Sequence, residues 1–445
     1  MKEERAEYID IIKDLDGDTA GRKQALGFIR ASDVWVHGEP APFPFVPYLF
    51  NKADLDYIGA QCRMAHGILC KVIRRYLDDP SYRAMFKLPP EVERLVLLPC
   101  NYDQLLPMGR FDFFLDEDDL SYKFCEFNTD GSGAMSRDFM IGQALMQSET
   151  FKRFSQRHEV RQFELFDSWV ETFMRIYRSD AHAHANPTIA VTDFRESGVF
   201  SDFDRFIAAF KRAGIPARFV DVRAFEFDGN ALRDASDGTK IDAIYRRAVT
   251  SEILQHPGEC DALIDAVAAE KVCLIGHFRT TVVHSKMVSV ALFDERTRAF
   301  LTPEECAFVD AHVPRTYVLD DHLDPALADE IVGDKDAWII KPADDYGAHG
   351  VYPGVDFDEE TWRKLVSDNR DAGYIVQEFY PPHHVDIMNT ELAPGADPCA
   401  VESWESMPGV YVYDGAPVGL YCRLGKSGVI AIDHGGLCAN SFRVD

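Results

Sequence analysis

The sequence lacks the long apolar runs and paired cysteines that mark several classes of protein. None of its apolar runs approaches about 20 residues, the length that spans a bilayer, so we expect no transmembrane helix and no membrane partner. The N-terminus has no apolar signal core, and the ten cysteines include no C-x-x-C pair. We therefore expect a cytoplasmic protein with reduced thiols and with neither a disulfide framework nor a zinc framework.

Positive charge is also scarce. The 445 residues include 47 Lys and Arg against 74 Asp and Glu, which gives a formal net charge of −27. Because binding to a phosphate backbone needs a basic surface, no nucleic-acid partner is expected. A hydrophobic content of 46% and a charged content of 27% are typical of a globular protein, and the length is sufficient for two or three domains.

The stretch 110–128 has the strongest functional pattern. Two segments in which charged and aromatic residues alternate flank an acidic turn, which predicts a β-hairpin. Glu126 and Asn128 leave the same face of one strand, and Asp112 on the other strand can lie across from them. Two carboxylates and an amide oxygen suit Mg²⁺, with Arg110 placed to neutralise charge on a phosphate. A solvated edge hairpin would show the same alternation.

The segments on either side of this hairpin are mainly helical by their apolar spacing. Residues 1–95 include one clear helix at 53–78, and an apolar run at 92–100 has the length of a strand. After the hairpin, the Gly- and Ser-rich loop 129–136 leaves its backbone amides free to approach a ligand. Helices are predicted to follow over 137–180.

The unit 186–275 alternates strands and helices in the order typical of a small Rossmann-like layer. Its predicted elements are strands at 188–192, 217–222, 241–245 and 272–275, a helix at 201–213 capped by Ser201, and a helix near 259–270. No G-x-G-x-x-G follows the first strand, so a bound dinucleotide is not expected. Arg246 and Arg247 could hold a substrate carboxylate or serve a structural role.

The final third contains a second group of charged residues near strand ends. Lys286 precedes an apolar helix at 287–293, and Lys341 lies at the end of a buried strand at 338–342. The loop 343–351 places glycines next to this lysine, an arrangement suited to folding over a polyphosphate. The loop contains no G-K-[ST], so it is not a Walker loop.

Two further strands complete this group. A strand at 374–379 contains Gln377 and Glu378 at its end, where the backbone commonly holds an adenine. A hairpin with its turn at 414–415 ends in Arg423.

Taken in chain order, Arg110-x-Asp112, Glu126-x-Asn128, Lys286 and Lys341-Pro342 resemble the motifs of the glutathionylspermidine synthetase-like ligases. These form a circularly permuted branch of the ATP-grasp superfamily, and the resemblance covers roughly residues 96–445. It implies an α+β / α/β fold: two ATP-grasp-type lobes with an inserted Rossmann-like pre-ATP-grasp domain and a helical N-terminal region. The implied domains are the N-terminal helical region (1–95), the metal-binding part of the core (96–185), the pre-ATP-grasp substrate domain (186–275) and the ATP-binding part of the core (276–445).

The resemblance also implies roles for individual residues. Asp112, Glu126 and Asn128 look like the Mg²⁺ ligands. Arg110 looks like the arginine that stabilises the phosphorylated transition state, and Arg423 like the arginine near the acyl-phosphate.

The nucleotide would be held by a second set of matched residues. They are the ATP-phosphate lysines Lys286 and Lys341, the glycines Gly347 and Gly350 of the loop over the triphosphate, and the adenine-side pair Gln377 and Glu378. The loop departs from the family pattern in having Asp344-Asp345-Tyr346 before its glycines. The segment between the two lysines is also longer than expected.

The implied activity is an ATP- and Mg²⁺-dependent ligase that joins a small-molecule or peptide carboxylate to an amine, such as a polyamine or an amino acid. Residues 1–95 do not resemble the amidase domain of the bifunctional relatives, so we expect a ligase without that domain, and the substrate pockets cannot be matched residue by residue. Three alternatives stay open: a catalytically inactive ATP-grasp protein acting as a sensor or scaffold, a small-molecule binding protein, and a kinase-like phosphotransferase.

Overall fold

The computed structural model describes residues 1–344 and 349–445. The N-terminal part is mainly helical, as expected, and contains α1 (Lys2–Asp14), α2 (Thr19–Arg30), β1 (Trp35–Val36), β2 (Glu39–Pro40), β3 (Tyr48–Asn51), α3 (Lys52–Asp78), α4 (Pro80–Arg83) and α5 (Pro90–Val96). The long helix α3 confirms the helix predicted at 53–78. It begins where it does because Asn51 and Asp54 form a capping box that satisfies its first backbone N–H groups.

The strand predicted at 92–100 is wrong, since the first part of this run belongs to helix α5. Pro90 occupies its first turn, where the fixed φ of proline suits a helix. Val92, Leu95 and Val96 then fall on one buried helical face. A short apolar run cannot be assigned to a helix or a buried strand from its periodicity alone.

The next segment contains the predicted hairpin and then mainly helices. Its elements are β4 (Met108–Leu115), β5 (Tyr122–Asn128), α6 (Met135–Leu145), α7 (Glu149–Phe154), β6 (Val160–Gln162) and α8 (Asp167–Ser179). The helices expected over 137–180 are present, although β6 interrupts them.

The Rossmann-like layer follows. It contains β7 (Ile189–Asp193), α9 (Phe200–Arg212), β8 (Ala217–Asp221), β9 (Phe225–Phe227), β10 (Leu232–Asp234), β11 (Lys240–Ile241), β12 (Ala243–Arg246), α10 (Thr250–Gln255), α11 (Asp261–Ala268) and β13 (Cys273–Ile275). Its parallel sheet has the strand order β13-β12-β7-β8. From β7 the chain passes through α9 to β8 on one side of β7, and it later enters β12 on the other side of β7. The carboxyl ends of β7 and β12 therefore form a topological switch point.

Two details of this layer differ from the sequence predictions. The strand expected at 241–245 is divided, and its two parts, β11 and β12, pair in different sheets. Ser201 does not cap α9: the helix begins one residue earlier, and the Ser201 hydroxyl lies 2.8 Å from the hydroxyl of Ser136. The hydroxyl is therefore used for packing α9 against α6.

The remaining elements include the strands that complete the two antiparallel sheets around the site. They are α12 (Thr281–His284), α13 (Met287–Phe293), α14 (Glu295–Arg298), α15 (Pro303–His312), β14 (Thr316–Val318), α16 (Pro325–Gly333), β15 (Trp338–Pro342), β16 (Tyr352–Pro353), α17 (Glu359–Asp368), β17 (Tyr374–Glu378), β18 (His383–Ile387), β19 (Glu402–Tyr413), β20 (Ala416–Gly425), β21 (Leu437–Ala439) and β22 (Ser441–Val444). The strand β22 pairs with β3 and β6 in a separate sheet. The helix α13 and the strand β15 have the predicted bounds.

The central sheet brings the two functional parts of the sequence together. Its strand order is β21-β20-β19-β4-β5, with β18 also paired to β19. The hairpin predicted with its turn at 414–415 is confirmed, and Asp414 and Gly415 both have positive φ, as a tight two-residue turn requires. Because β19 pairs with β4, this late hairpin extends the sheet begun by the acidic hairpin.

The second sheet, in the order β14-β17-β15-β16, has its own small core that includes Trp338 and Trp362. A separate core supports the Rossmann-like layer. None of the helices in the described residues combines the length and the apolarity that a membrane span needs.

Candidate active site

The register of the acidic hairpin sets the predicted site residues against one another. Strands β4 and β5 pair antiparallel, with Asp112 opposite Glu126 and Arg110 opposite Asn128. Opposed residues of an antiparallel pair share one face of the sheet, with Cβ atoms roughly 4.5–5.5 Å apart. The arrangement predicted from the sequence, with Asp112 across from Glu126 and Asn128, is therefore present.

A β-bulge beside Asp112 separates the polar face of this hairpin from its aromatic face. The register shifts after Asp112 and leaves Cys125 without an opposed residue. In an unbroken strand Phe124 would share the face of Glu126, since side chains alternate. The bulge turns Phe124 to the other face, where it packs near Phe127 in the core.

The carboxylate of Asp112 is fully buried and accepts hydrogen bonds from three side chains. Arg110 donates to both oxygens, from Nε at 2.7 Å and from Nη2 at 2.9 Å. The Asn128 amide nitrogen donates at 2.8 Å, and Arg423 forms an ion pair from β20. These bonds compensate the cost of burying the charge.

Gly409 makes this network possible. It lies on β19 directly opposite Asp112. A Cβ at this position would overlap Asp112 Oδ1 and would lie 3.0 Å from Arg110 Nε. A residue with a side chain would therefore displace the ion pair. The requirement for glycine depends on the pairing of distant strands, so the sequence pattern does not reveal it.

Glu126 is ionised because cations surround it. Burial acts to raise the pKa of this carboxyl, but Lys286 and Arg423, with smaller contributions from Asn128 and Arg110, together hold the pKa below its ordinary value. The Arg423 guanidinium lies 3.7 Å from Glu126 Oε1, which also accepts a 3.0 Å hydrogen bond from Asn128. For Lys286, burial lowers the pKa, and Glu126 opposes that shift.

Lys341 is positioned by the strand beside its own. It is 7% exposed, and its Nζ donates to Gln377 Oε1 at 2.8 Å. The Gln377 amide in turn donates to the Thr316 hydroxyl at 2.8 Å. Lys286 is tied to the same region, since its backbone N–H donates to the carbonyl of Ala343.

Glu378 lies at the end of β17, as predicted. Its carboxylate accepts a 3.0 Å hydrogen bond from the backbone N–H of Arg315. The backbone N–H of Glu378 donates to the Arg315 carbonyl at 2.9 Å. These bonds fix the strand end beside the apolar side chains Ile339 and Phe379, which line the same cavity.

A cavity of about 480 Å³ collects most of the predicted residues, within the range of small-ligand sites. The predicted residues that line it are Arg110, Glu126, Lys286, Lys341, Gln377, Glu378 and Arg423. Asp112 and Asn128 lie behind this lining, in contact with Arg110, Glu126 and Arg423.

The glycine loop is only partly described. Gly347 lies outside the described residues, so its predicted role stays a prediction. Gly350 has a φ of +66°, and a Cβ there would lie 2.7 Å from the hydroxyl of Tyr374. Its neighbours His349 and Val351 line the cavity.

The loop after Asn128 reaches the cavity through Gly131 and Gly133. Asp130 anchors the loop to the Rossmann-like layer through an ion pair with Arg246 and a 2.8 Å hydrogen bond from the backbone N–H of Thr250. The switch point of the parallel sheet is thus occupied by this loop.

The two arginines at the switch point are buried in ion pairs. Arg246 pairs with Asp130, and Arg247 Nη2 lies 3.4 Å from Asp202. Of the two roles considered for these arginines, the contacts support the structural one.

Sequence reasoning missed two residues that line the cavity. Arg137 follows the loop in the first turn of α6, and Tyr421 projects from β20. A basic residue directly after a Gly- and Ser-rich loop was the available signal for Arg137. Tyr421 had no such signal, because its place depends on how β20 joins the sheet.

The oxygen donors fit Mg²⁺ after a rearrangement of their present hydrogen bonds. The Asn128 amide nitrogen now faces both Asp112 and Glu126. A half-turn of the Asn128 amide would direct its oxygen, instead of its nitrogen, towards the two carboxylates. A cation bound among these oxygens would then take the place of the Asn128 N–H and of Arg423 as the positive partner of the carboxylates. Within the described residues, no group of three or more His, Cys, Asp and Glu side chains is arranged to hold a metal.

Comparison with known proteins shows similarity at the level of the fold. No protein-family model matches the sequence, and no curated protein matches it significantly. The chain is similar to a glutathione synthetase-like effector from Globodera pallida, with 14% identity over 96% of both chains and a TM-score of 0.60.

Two further solved structures match less well. A putative gamma-glutamylcysteine synthetase from Methylobacillus flagellatus has 13% identity over 81% of this chain and 83% of its own, with a TM-score of 0.36. A D-cycloserine synthetase has 14% identity over 57% of this chain and 91% of its own, with a TM-score of 0.27. The chain thus shares a mixed α/β fold, as expected from its sequence, with the Globodera effector over almost the whole length of both.

Proposed function

We propose that the protein is an ATP- and Mg²⁺-dependent carboxylate–amine ligase that forms an amide through an acyl-phosphate, of the glutathionylspermidine synthetase-like kind. One observation carries the proposal: a single cavity gathers the predicted basic and acidic residues from separate parts of the chain. The acidic hairpin, the residues around Lys286, the end of β15 and the hairpin of β19 and β20 all contribute. The domain bounds implied by the resemblance belong to the same proposal.

Asp112, Glu126 and Asn128 would hold the metal. A metal held by these residues would supply positive charge that offsets the charge of the phosphates. The ionised state of Glu126 supports this role, since a metal ligand must be deprotonated.

Lys286 and Lys341 would bind the phosphates of ATP. Gln377 holds Lys341 through a 2.8 Å hydrogen bond, so the side chain is oriented before a ligand arrives. Gln377 and Glu378 would form the adenine side of the site, next to the backbone at the end of β17.

The reaction needs no protein nucleophile. A carboxylate oxygen of the acyl substrate attacks the γ-phosphorus of ATP, and ADP leaves, which gives an acyl-phosphate. Arg110 and Arg423 stabilise the negative charge on the transferred group. The amine, a polyamine or an amino acid, then attacks the acyl carbon, inorganic phosphate leaves and the nitrogen loses a proton.

One observation favours a second candidate, an ATP-binding protein without ligase activity. Arg110 and Arg423 both bond to the carboxylate of Asp112, and that carboxylate has no exposed surface. A protein that keeps this arrangement when ATP is bound would bind nucleotide without transferring phosphate.

Formation of ADP separates these candidates. Wild-type protein would be incubated with MgATP, a panel of peptide and small-molecule carboxylates, and hydroxylamine as a trapping amine, and ADP and hydroxamate would be measured. We expect both products to form together, and Lys341→Met and Glu126→Gln to lower the rate by roughly 100-fold or more. The matched control is Glu171→Gln, at an exposed position of α8.

The other outcomes of this experiment are equally informative. Binding of MgATP without ADP formation by any carboxylate would support the inactive candidate. A stable phosphorylated product that forms without an amine requirement would identify a phosphotransferase. Full activity of both variants would contradict the proposed site.

A further inference from the structure

One cation in the cavity has no part in the proposed phosphate chemistry. Arg137 lies in the first turn of α6 and beside the hydroxyl of Tyr421. The guanidinium carbon of Arg110 lies over the Tyr421 ring, 5.7 Å from its centroid. Arg110 therefore lies over the ring face of Tyr421, whereas Arg137 lies near its hydroxyl, which itself donates to Cys438 Sγ at 3.1 Å.

Arg137 differs from the other arginines of the cavity in its partners. Arg110 and Arg423 are both bonded to Asp112, and Lys341 donates to a side-chain amide. Among the side chains that the structure describes, Arg137 forms no ion pair with a carboxylate, although the charge of Asp202 also acts on it. Because arginine stays charged at all physiological pH values, the cavity holds a positive group that a ligand can neutralise.

The backbone at the start of α6 does not compete with this side chain for an anion. Asp202 accepts hydrogen bonds from the N–H groups of Ala134 at 3.0 Å and Ser136 at 2.8 Å. Arg247, 3.4 Å away, offsets the charge of Asp202. The amides that commonly bind anions at a helix start are therefore occupied, which leaves the Arg137 guanidinium as the group that meets a ligand.

The walls of the cavity also include apolar side chains, among them Val36 and Val199. Val199 lies against the loop 129–136, with its Cγ2 4.0 Å from the position of a Cβ on Gly133. A ligand that extends from Arg110 to Arg137 would therefore place a carbon chain in the cavity and charged groups at its two ends.

We propose that Arg137 binds a second carboxylate of the acyl substrate, so that the substrate class is a dicarboxylate, such as a peptide or amino acid that keeps one free carboxylate while the other is phosphorylated. This inference rests on the ligase function proposed above. The carboxylate near Arg110 and Arg423 reacts, and the carboxylate at Arg137 fixes the orientation of the chain. Arg137 is a specificity-determining residue because its fork of N–H donors matches a planar carboxylate.

Matched pairs of dicarboxylates and monocarboxylates test this assignment. The pairs are succinate with butyrate, glutarate with pentanoate, and adipate with hexanoate, each assayed with MgATP and hydroxylamine for hydroxamate formation. The proteins are wild type, Arg137→Gln, Arg137→Lys and Arg153→Gln, which removes one positive charge from an exposed position of α7. The thermal shift produced by MgATP alone is measured for each protein as a separate report on the nucleotide site.

We expect wild type and Arg153→Gln to prefer the dicarboxylate of at least one pair by roughly tenfold or more in kcat/KM. Arg137→Gln should lose that preference through a higher KM, and Arg137→Lys should regain part of it, while the shift with MgATP stays unchanged in both. Equal use of both members of every pair by wild type would overturn the inference. An unchanged preference in Arg137→Gln, or a normal MgATP shift with no response to any dicarboxylate, would also overturn it. Absence of the MgATP shift in wild type would instead overturn the proposed function.

Discussion

The two ends of the cavity handle charge in different ways. At the hairpin end, Asp112 is fully buried and its charge is compensated by Arg110 and Arg423. At the α6 end, Arg137 forms no ion pair with any carboxylate whose side chain the structure describes, and only the more distant charge of Asp202 acts on it. The hairpin end is therefore held together by interactions that also stabilise the fold, whereas the α6 end is free to respond to a ligand.

The largest effect on stability is expected when the hairpin end loses the charge of Asp112. Asp112→Ala would leave the buried Arg110 and the partly buried Arg423 without their partner, and breaking a buried ion pair costs about 3–5 kcal/mol of unfolding free energy. Denaturant titration would measure this loss. Asp119→Ala, at an exposed position in the turn of the same hairpin, should change stability by less than about 1 kcal/mol. Equal stability of the two variants would show that the network adds nothing to the fold.

A somewhat smaller effect is expected from crowding the same network. Gly409→Ala would force a methyl group against Asp112, and overpacking a buried site costs about 1–3 kcal/mol. Gly27→Ala is the matched control, because nothing lies within 4 Å of a Cβ at that position in α2. The control should be more stable than wild type by about 0.5–1 kcal/mol, since alanine favours a helix. A neutral Gly409→Ala would contradict the close approach of β19 to Asp112.

A pH-dependent effect is expected at Glu126. The cations around it, against the effect of burial, keep its pKa below the ordinary value. Its contribution to stability is therefore present above the unfolded pKa of about 4.3 and is lost as the pH falls through the folded pKa. Below about pH 4, wild type should lose stability more steeply than Glu126→Gln. Denaturant titration at several pH values would measure the free energy of unfolding of both proteins. If the two free energies change with pH in parallel, the carboxylate is not held in its ionised form.

The smallest effect on stability is expected at the α6 end. Arg137→Gln removes no ion pair among the described residues, so its free energy of unfolding should stay within about 1 kcal/mol of wild type. Thermal unfolding without ligands would check this value. A loss as large as that of Asp112→Ala would show that Arg137 is part of the folded framework and would remove the contrast between the two ends.

Much of the hairpin end was predictable because its signals are local. The alternation of charged and aromatic residues in 110–128 predicts the two strands, and a spacing of two residues places Glu126 and Asn128 on one face. Lys341 was found because an apolar strand ends beside it, and the bounds of β15 agree with the prediction.

The features that escaped prediction depend on contacts between distant segments. Gly409 is required only because β19 pairs with β4, and Arg137 becomes significant only when Tyr421 comes to lie beside it. Gln377 was assigned to the adenine side from its place at a strand end, whereas its side chain also holds Lys341. A strand pattern gives the face of a residue but not the identity of its neighbour on the next strand.

The proposed function requires that the hairpin end of the cavity binds ATP together with a metal. The most direct measurement is the thermal shift of wild type and of Glu126→Ala with Asn128→Ala, each with ATP in the presence and absence of Mg²⁺. Ligand at 100 times its dissociation constant should stabilise the native state by about 2.7 kcal/mol. We expect a shift in wild type that requires Mg²⁺ and is lost in the double variant. An equal shift in both proteins, or no response of wild type to MgATP, would contradict this expectation.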